Sequence, residues 1–108
     1  MKKIYFDMES RAIADMVEIE PGYYLITRIN VPKISRGHGL ASKLLKEILE
    51  DADTEGIVLE EHPMPSGGLT RKESASWYRQ YGFQWEKSRI EPEEPIEVLI
   101  RGPKEYSL

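Results

Sequence analysis

Three observations predict an α/β domain built on a mixed β-sheet. Short β-rich runs flank two longer stretches whose apolar residues recur at helical spacing. Their order along the chain is three strands, a helix, a strand, a helix and two strands (β-β-β-α-β-α-β-β), the alternation of an α/β fold. The length, 108 residues, suits a single domain spanning 1–108. At that size roughly two-thirds of the unfolded surface can be buried without disulfide or metal support.

The first strand is expected in KKIYFDM (2–8), which alternates around Ile4 and Phe6. AIADMVEIE (12–20) carries two patterns: Ile13, Met16 and Val17 suit a helix, whereas Val17 and Ile19 alternate as in a strand. Pro21-Gly22 followed by the β-rich YYLITRINV (23–31) selects a hairpin. Pro32 ends its second strand, because proline has no N–H for the ladder. Leu40, Leu44, Leu45, Ile48 and Leu49 then predict a helix over 38–52, stopped by Gly56. GIVLEE (56–61) reads as a short apolar strand of the kind covered by helices on both faces. The third strand, the helix and this strand form a β-α-β unit, so the two strands should be parallel with a right-handed crossover.

HPMPSGGL (62–69) has two prolines and two glycines and reads as a loop. Thr70 and Glu73 have the spacing of a capping box, and Ala75, Trp77, Tyr78 and Tyr81 continue that helix to Gly82. FQWEKSR (83–89) and IEVLIR (96–101) alternate and predict two antiparallel strands. EPEEP (91–95), between them, predicts a turn.

Composition narrows the function classes. Cysteine is absent, which excludes disulfides, a thiolate nucleophile and Cys-based zinc sites, and fits a reducing cytoplasm. Two histidines, His38 and His62, make a His-rich metal site a poor expectation. The net charge of −4, from 15 Lys+Arg against 19 Asp+Glu, argues against a nucleic-acid surface and fits a cationic or amine partner. No continuous apolar run follows the lysines of MKKIYFDMES, so neither a signal peptide nor a membrane span is expected.

The chemistry is concentrated in VPKISRGHGLASKLL (31–45). Gly37 and Gly39 weaken a helix start unless the backbone there has another task, such as bringing the first helical N–H groups close to an anion. Arg36 adds a cationic donor. No Gly-Lys-Ser/Thr follows, so this is not a Walker loop, and the spacing of the dinucleotide fingerprint is missing.

Val31, Pro32, Arg36, Gly37, Gly39 and Ala41 resemble the acyl-CoA signature of the GNAT superfamily of N-acetyltransferases. In that family a strand ending in Val leads through a Pro-containing turn into Arg/Gln-x-x-Gly-x-Gly/Ala at a helix start; here the string is Arg36-Gly37-His38-Gly39-Leu40-Ala41. Some forty residues on, WYRQYGF resembles the family's second signature, Tyr-x-x-x-Gly-Phe, with Tyr78, Gly82 and Phe83. The two motifs stand in the right order on elements of the right type, and the resemblance covers roughly residues 12 to 101.

The resemblance implies a GNAT-like mixed, mostly antiparallel sheet with a central β-α-β acyl-CoA-binding unit. It implies that the third strand splays from the fourth, and that acetyl-CoA lies in the slot along the backbone of Ile29, Asn30 and Val31. The pyrophosphate would sit on the amides of Gly37, His38, Gly39, Leu40, Ala41 and Ser42, beside Arg36, with the His38 side chain in solvent. The implied reaction is direct attack of a primary amine on the thioester, with CoA as product and no metal. Tyr78 would protonate the departing thiolate, and a backbone N–H of the splayed strand would stabilise the oxyanion. The third strand has no Glu to act as base. Glu60, Glu61 and His62 end the fourth strand, where a parallel sheet presents ligand-facing groups; Glu61 is the candidate base, with His62 beside it as the alternative.

The sequence departs from the family in two ways. Only about a dozen residues precede the hairpin, where family members carry a strand and two helices that line the acceptor pocket. Either the acceptor site is open, which suits a large acceptor such as a protein lysine or N-terminus, or the 62–70 loop or a second subunit in a homodimer closes it; the acceptor expected is an amine, on a small molecule or a protein. Where many members have Asn and Ala before the tyrosine, this chain has Arg71, set to meet the cofactor's phosphates, and Ser74, set to bond pantetheine. The competing reading is a catalytically silent module of the same fold that acts through CoA or protein binding.

Overall fold

Pro21 and Gly22, the latter at φ +81°, turn strand β2 (Ile13–Glu20) back along β3 (Tyr23–Asn30) as the predicted hairpin. With β1 (Ile4–Phe6), β4 (Val58–Glu61), β5 (Gln84–Lys87) and β6 (Glu97–Arg101) they form a six-stranded sheet in the order β1-β2-β3-β4-β6-β5. Only β3 and β4 pair in parallel; the other neighbours are antiparallel. Among the described residues, two helices, α1 (Leu40–Glu55) and α2 (Arg71–Arg79), and one 3-10 turn at Lys33–Ser35 complete the fold. This is the predicted element order. The computed structural model describes residues 1–65, 68–90 and 96–104, so the turn expected at 91–95 lies outside the described residues, as do residues 66 and 67 of the 62–69 loop.

Local chemistry sets the helix ends. Helix α1 begins at Leu40, two residues later than its periodicity suggests, because Gly39 stands in the left-handed region at φ +71°. It ends at Gly56, also left-handed, whose N–H donates to the Ala52 carbonyl. At α2 the capping box forms: the Glu73 N–H donates to Thr70 Oγ1 at 3.1 Å, and the Thr70 N–H donates to Glu73 Oε1 at 3.0 Å.

Both helices pack on one face of the sheet. Leu44, Leu45 and Ile48 of α1 and Ala75 and Tyr78 of α2 share one core with Tyr5, Ala14, Met16, Tyr24, Leu59 and Leu99. The strand expected around Ile4 and Phe6 forms; these two residues are 58% and 49% exposed, and Tyr5 between them is buried. Val17 and Ile19 are likewise exposed, while Met16 is in the core. One expectation is corrected here. Strand β4 is not covered by helices on both faces: Leu59 meets the helical core, whereas Glu60, pointing the other way, is enclosed by Tyr23, Ser88 and the backbone of Arg89. Alternation specifies that a strand has two faces; which face receives the helices depends on where those helices return to the sheet.

A buried guanidinium ties the helical layer to the sheet. Arg101 is 4% exposed. It donates from both terminal nitrogens to the Asp53 carboxylate of α1, at 2.8 and 3.0 Å. Its Nε donates to the Tyr81 carbonyl at the end of α2, at 3.0 Å. This pair holds Asp53 below the ordinary carboxylate range, mainly through the Arg101 hydrogen bonds and against the effect of burial. Asp53→Ala leaves that charge buried and unpaired, and is expected to destabilise the fold by about 3–5 kcal/mol in chemical denaturation, whereas the exposed Glu50→Ala should cost under about 0.5 kcal/mol.

Candidate active site

The site begins where β3 loses its parallel partner. Strand β4 ends at Glu61, opposite Ile26. On the β2 side, Met16 faces Ile26 and Asp15 faces Arg28, so Thr27 is an extra residue, a bulge. A bulge bends its strand and increases its twist. Arg28, Ile29 and Asn30 therefore run on paired with β2 with no described strand on their other edge, and with Thr27 and Val31 they line a cleft of about 630 Å³ between the ends of β3 and β4. An unpaired strand edge offers N–H and C=O groups to an extended ligand.

The second wall is the head of α1. The first intrahelical bond runs from Lys43 N–H to the Gly39 carbonyl at 3.0 Å, so the amides before it are free of helical partners. No side chain caps this end, and its first turn carries no acidic residue. Gly37 and Gly39 have φ of +88° and +71°, and a Cβ built on either meets nothing within 4 Å. Their need for glycine is thus conformational, and the space before the amides is open. Arg36 is exposed and lines the cleft, its Nε donating to the Val31 carbonyl at 3.0 Å, a bond that does not use its terminal nitrogens. An open helix N-terminus beside a cation is a fit for phosphate. An open strand edge leading to it is a fit for the amide-bearing pantetheine arm, so the residues present match acyl-CoA.

Placed against the expectations, Ile29, Asn30, Val31, Arg36, Gly37, Gly39, Leu40, Ala41, Ser42, Glu61, Ser74 and Tyr78 all line this one cleft. His38 does not: it is exposed and lies outside the cleft lining, as expected for a side chain in solvent. Arg71 is also elsewhere, its guanidinium 5.4 Å over the ring of Trp85. That corrects the expectation that it meets the phosphates; the first turn of α2 aims it at β5 instead. Ser42 Oγ accepts from the Tyr81 hydroxyl at 3.0 Å, joining the phosphate end of the cleft to α2.

Two ionisable side chains meet on the helical side. Tyr78 is 5% exposed, edge-on to Trp77 and Phe83 at centroid distances of 4.9 and 5.2 Å. Burial, and then the nearby Glu61 carboxylate, raise its phenol well above the ordinary value, so it stays protonated. Burial alone raises Glu61 to about 8. Among the described residues neither shows a hydrogen-bond partner.

On the opposite face of β4 the chemistry differs. The Glu60 side chain is wholly buried, yet its carboxylate is held below the ordinary range. Burial opposes the charge, and hydrogen bonds from Tyr23, His62, Ser88 and the Arg89 amide outweigh it. The sequence reading gave Glu60 no role. The available signal was period two: in Glu60-Glu61-His62 the first and third side chains share a face and the second faces away. Thr27, Met64, Leu69 and Trp77 also line the cleft without having been singled out. The bulge at Thr27 has no sequence signature, since it is defined by two strands' register.

This architecture is shared with solved structures. The chain superposes on an acetyltransferase of the GNAT family from Staphylococcus aureus with a TM-score of 0.63 at 14% identity, over 92% of this chain and 65% of that one. For the GNAT family N-acetyltransferase YhbS from Escherichia coli, in complex with CoA, the values are 0.60 and 15%, over 90% of this chain and 55% of that one. For the anti-CRISPR protein AcrVA5 they are 0.66 and 13%, over 92% and 98%. No protein-family model matches the chain, and no curated protein matches it by sequence. The fold is that of the GNAT N-acetyltransferases. This chain spans 65% and 55% of the two acetyltransferases but nearly all of the anti-CRISPR protein.

The raised Glu61 makes stability depend on pH. Below its unfolded value both states hold the proton. As pH rises towards about 8, the unfolded chain releases the proton that the fold retains, so folded stability falls, and it levels off above that value. Glu61→Gln removes this slope. Its thermal midpoint is expected to exceed the wild type's by more at pH 9 than at pH 5, read by calorimetry across pH.

Proposed function

We propose that this protein is an acetyl-CoA-dependent N-acetyltransferase that moves an acetyl group to a primary amine by direct attack on the thioester. The observation that carries it is the joining, in one cleft, of an uncapped α1 N-terminus to the unpaired edge of β3. The GNAT-type neighbours support the acyl-transfer class, one of them in complex with CoA.

In this reading the free amides from Gly37 to Ser42, with Arg36, hold the pyrophosphate, and residues Ile29 to Val31 bond the pantetheine arm. Ser74 lines the same wall. When bound, the thioester supplies an activated acyl carbon with a thiolate leaving group. Tyr78, kept protonated by burial, gives its proton to the departing sulfur. Glu61 fits the base role poorly at neutral pH, where a group raised to about 8 is mostly uncharged. We assign it to the acid side, where a neutral carboxyl leaves the phenol's neighbourhood without a fixed negative charge.

A second reading has its own observation. This chain matches an anti-CRISPR protein over nearly that protein's whole length, but covers only 65% and 55% of the two acetyltransferases. The shorter span favours a module that acts by binding a partner, with or without CoA.

Calorimetric titration together with turnover separates the two. Acetyl-CoA and CoA are expected to bind in the micromolar range and ATP not to bind, with thiol released when a primary amine is added; no binding of either CoA form, or binding without thiol release, would leave the second reading. Gly39→Asp and Gly39→Asn sharpen the test, because both side chains tolerate the left-handed backbone and only one adds charge. Asn is expected to retain binding within a few-fold, and Asp to lose it by at least about tenfold, given opposed charge at a helix N-terminus. Tyr78→Phe should lower turnover by about 10²-fold with acetyl-CoA affinity unchanged. Wild-type turnover in that variant would make Tyr78 a packing residue only.

A further inference from the structure

The cleft has a basic group on the side away from Tyr78, and it is unusually well fixed. His62 lines the cleft with its side chain 37% exposed. Its Nε2 lies 2.6 Å from Glu60 Oε2. The Ser88 hydroxyl donates to the same oxygen at 2.9 Å. The other oxygen, Oε1, accepts from the Tyr23 hydroxyl and from the Arg89 N–H at 3.2 Å. Four donors thus converge on one carboxylate that is 0% exposed. The surrounding charges are Arg89, whose guanidinium stands 5.5 Å over the Tyr23 ring, Glu86 beside Tyr23, and Glu61 on the opposite face of β4.

The geometry fixes a tautomer. An ionised carboxylate only accepts hydrogen bonds, so Nε2 must be the donor. In the neutral imidazole, Nδ1 is then left bare, with a lone pair able to take a proton. Pro63 follows and is buried, which confines His62 to extended backbone. The chain end of β4 therefore presents a preoriented ring, not a mobile one. Burying a charged Glu is costly unless every lone pair is engaged. Four donors are devoted to Glu60 at a place where an apolar side chain would pack more simply.

We propose that His62 is the base that takes the proton from the acceptor ammonium, and that Glu60 is its positioning residue. The proposal rests on the acyl-transfer reading and names the group that reading lacked. The proton balance closes. His62 Nδ1 takes one ammonium proton, and the freed nitrogen pair forms the bond to the acyl carbon. As the carbon–sulfur bond breaks, its electron pair leaves on sulfur, which takes the Tyr78 proton. The second nitrogen proton returns to the Tyr78 oxygen, and His62 releases its own to solvent. Both groups line the one cleft, Tyr78 from α2 and His62 from the end of β4.

The test uses the whole chain with 15N-labelled histidine. His38, exposed and outside the cleft, is the internal control. In wild type, neutral His62 is expected to show a bare Nδ1 and a protonated Nε2. In Glu60→Gln this preference is lost while the His38 signals stay unchanged. A wild-type His62 with its proton on Nδ1 would overturn the dyad, and this is read whether or not any amine is accepted. With poly-L-lysine as the amine and thiol release as the signal, His62→Gln should lower kcat by about 10²–10⁴-fold, with the acetyl-CoA KM within twofold. His62→Gln is partly exposed and does not depend on the Glu60 variant folding. Wild-type kcat in it would also overturn the proposal. Failure of wild type to bind acetyl-CoA would instead sink the acyl-transfer reading and leave the tautomer result standing.

Discussion

The parting of β3 from β4 is the constraint on which the rest of the site depends. A parallel pair must part somewhere, and here β4 stops at Glu61 while the Thr27 bulge bends β3 away. The unpaired edge that results would be a liability on an exposed strand. Facing a cleft, it becomes a row of directed donors and acceptors. The head of α1 lies at the far end of the same edge because the chain leaves β3, passes Pro32 and one 3-10 turn, and enters the helix within nine residues. Strand edge and helix N-terminus are thus covalently adjacent, and their relative placement needs no long-range contact.

The long-range contacts serve the other wall. Tyr78 reaches the cleft only if the end of α2 is held against β6 and α1. Arg101 does this by binding Asp53 on one helix and the Tyr81 carbonyl at the end of the other. Gly82 stands at φ +93°, and a Cβ there would lie 3.6 Å from the Arg101 Nε. The glycine of the Tyr-x-x-x-Gly-Phe string therefore serves a backbone turn beside the guanidinium, and Phe83 packs edge-on to Tyr78. The motif is a device for placing one phenol.

Much of this was legible in the chain. The hairpin followed from Pro21-Gly22 between β-rich runs, the α2 cap from Thr70 and Glu73, and the α1 stop from Gly56, because each is a short-range steric or hydrogen-bonding rule. The residues from Arg36 to Ser42 fall together for the same reason: they are neighbours in sequence. The alternation of Ile4 with Phe6 and of Val17 with Ile19 marked strands that form, but not the covered face. Apolar alternation marks a strand, but both faces of these strands carry apolar side chains, and nothing local says which face the helices cover. The Arg71 position failed because an α2 first-turn residue can point to the cleft or to β5, and packing against Trp85 decided it.

The sequence by itself determined the element order, the caps and the glycine-bearing loop, because these depend on backbone preferences and on partners a few residues away. Only the tertiary structure decided the faces. Glu60, Glu61 and His62 are three consecutive polar residues in the chain; in the fold, one is a buried anion with four donors, one a carboxyl raised by burial, and one a ring fixed at the cleft. Glu60 owes its state to donors from Tyr23, Ser88 and Arg89, which are distant in sequence, and Glu61 owes its own to burial. The protonation state of a side chain depends on the dielectric and donors around it, and those exist only once the chain has folded.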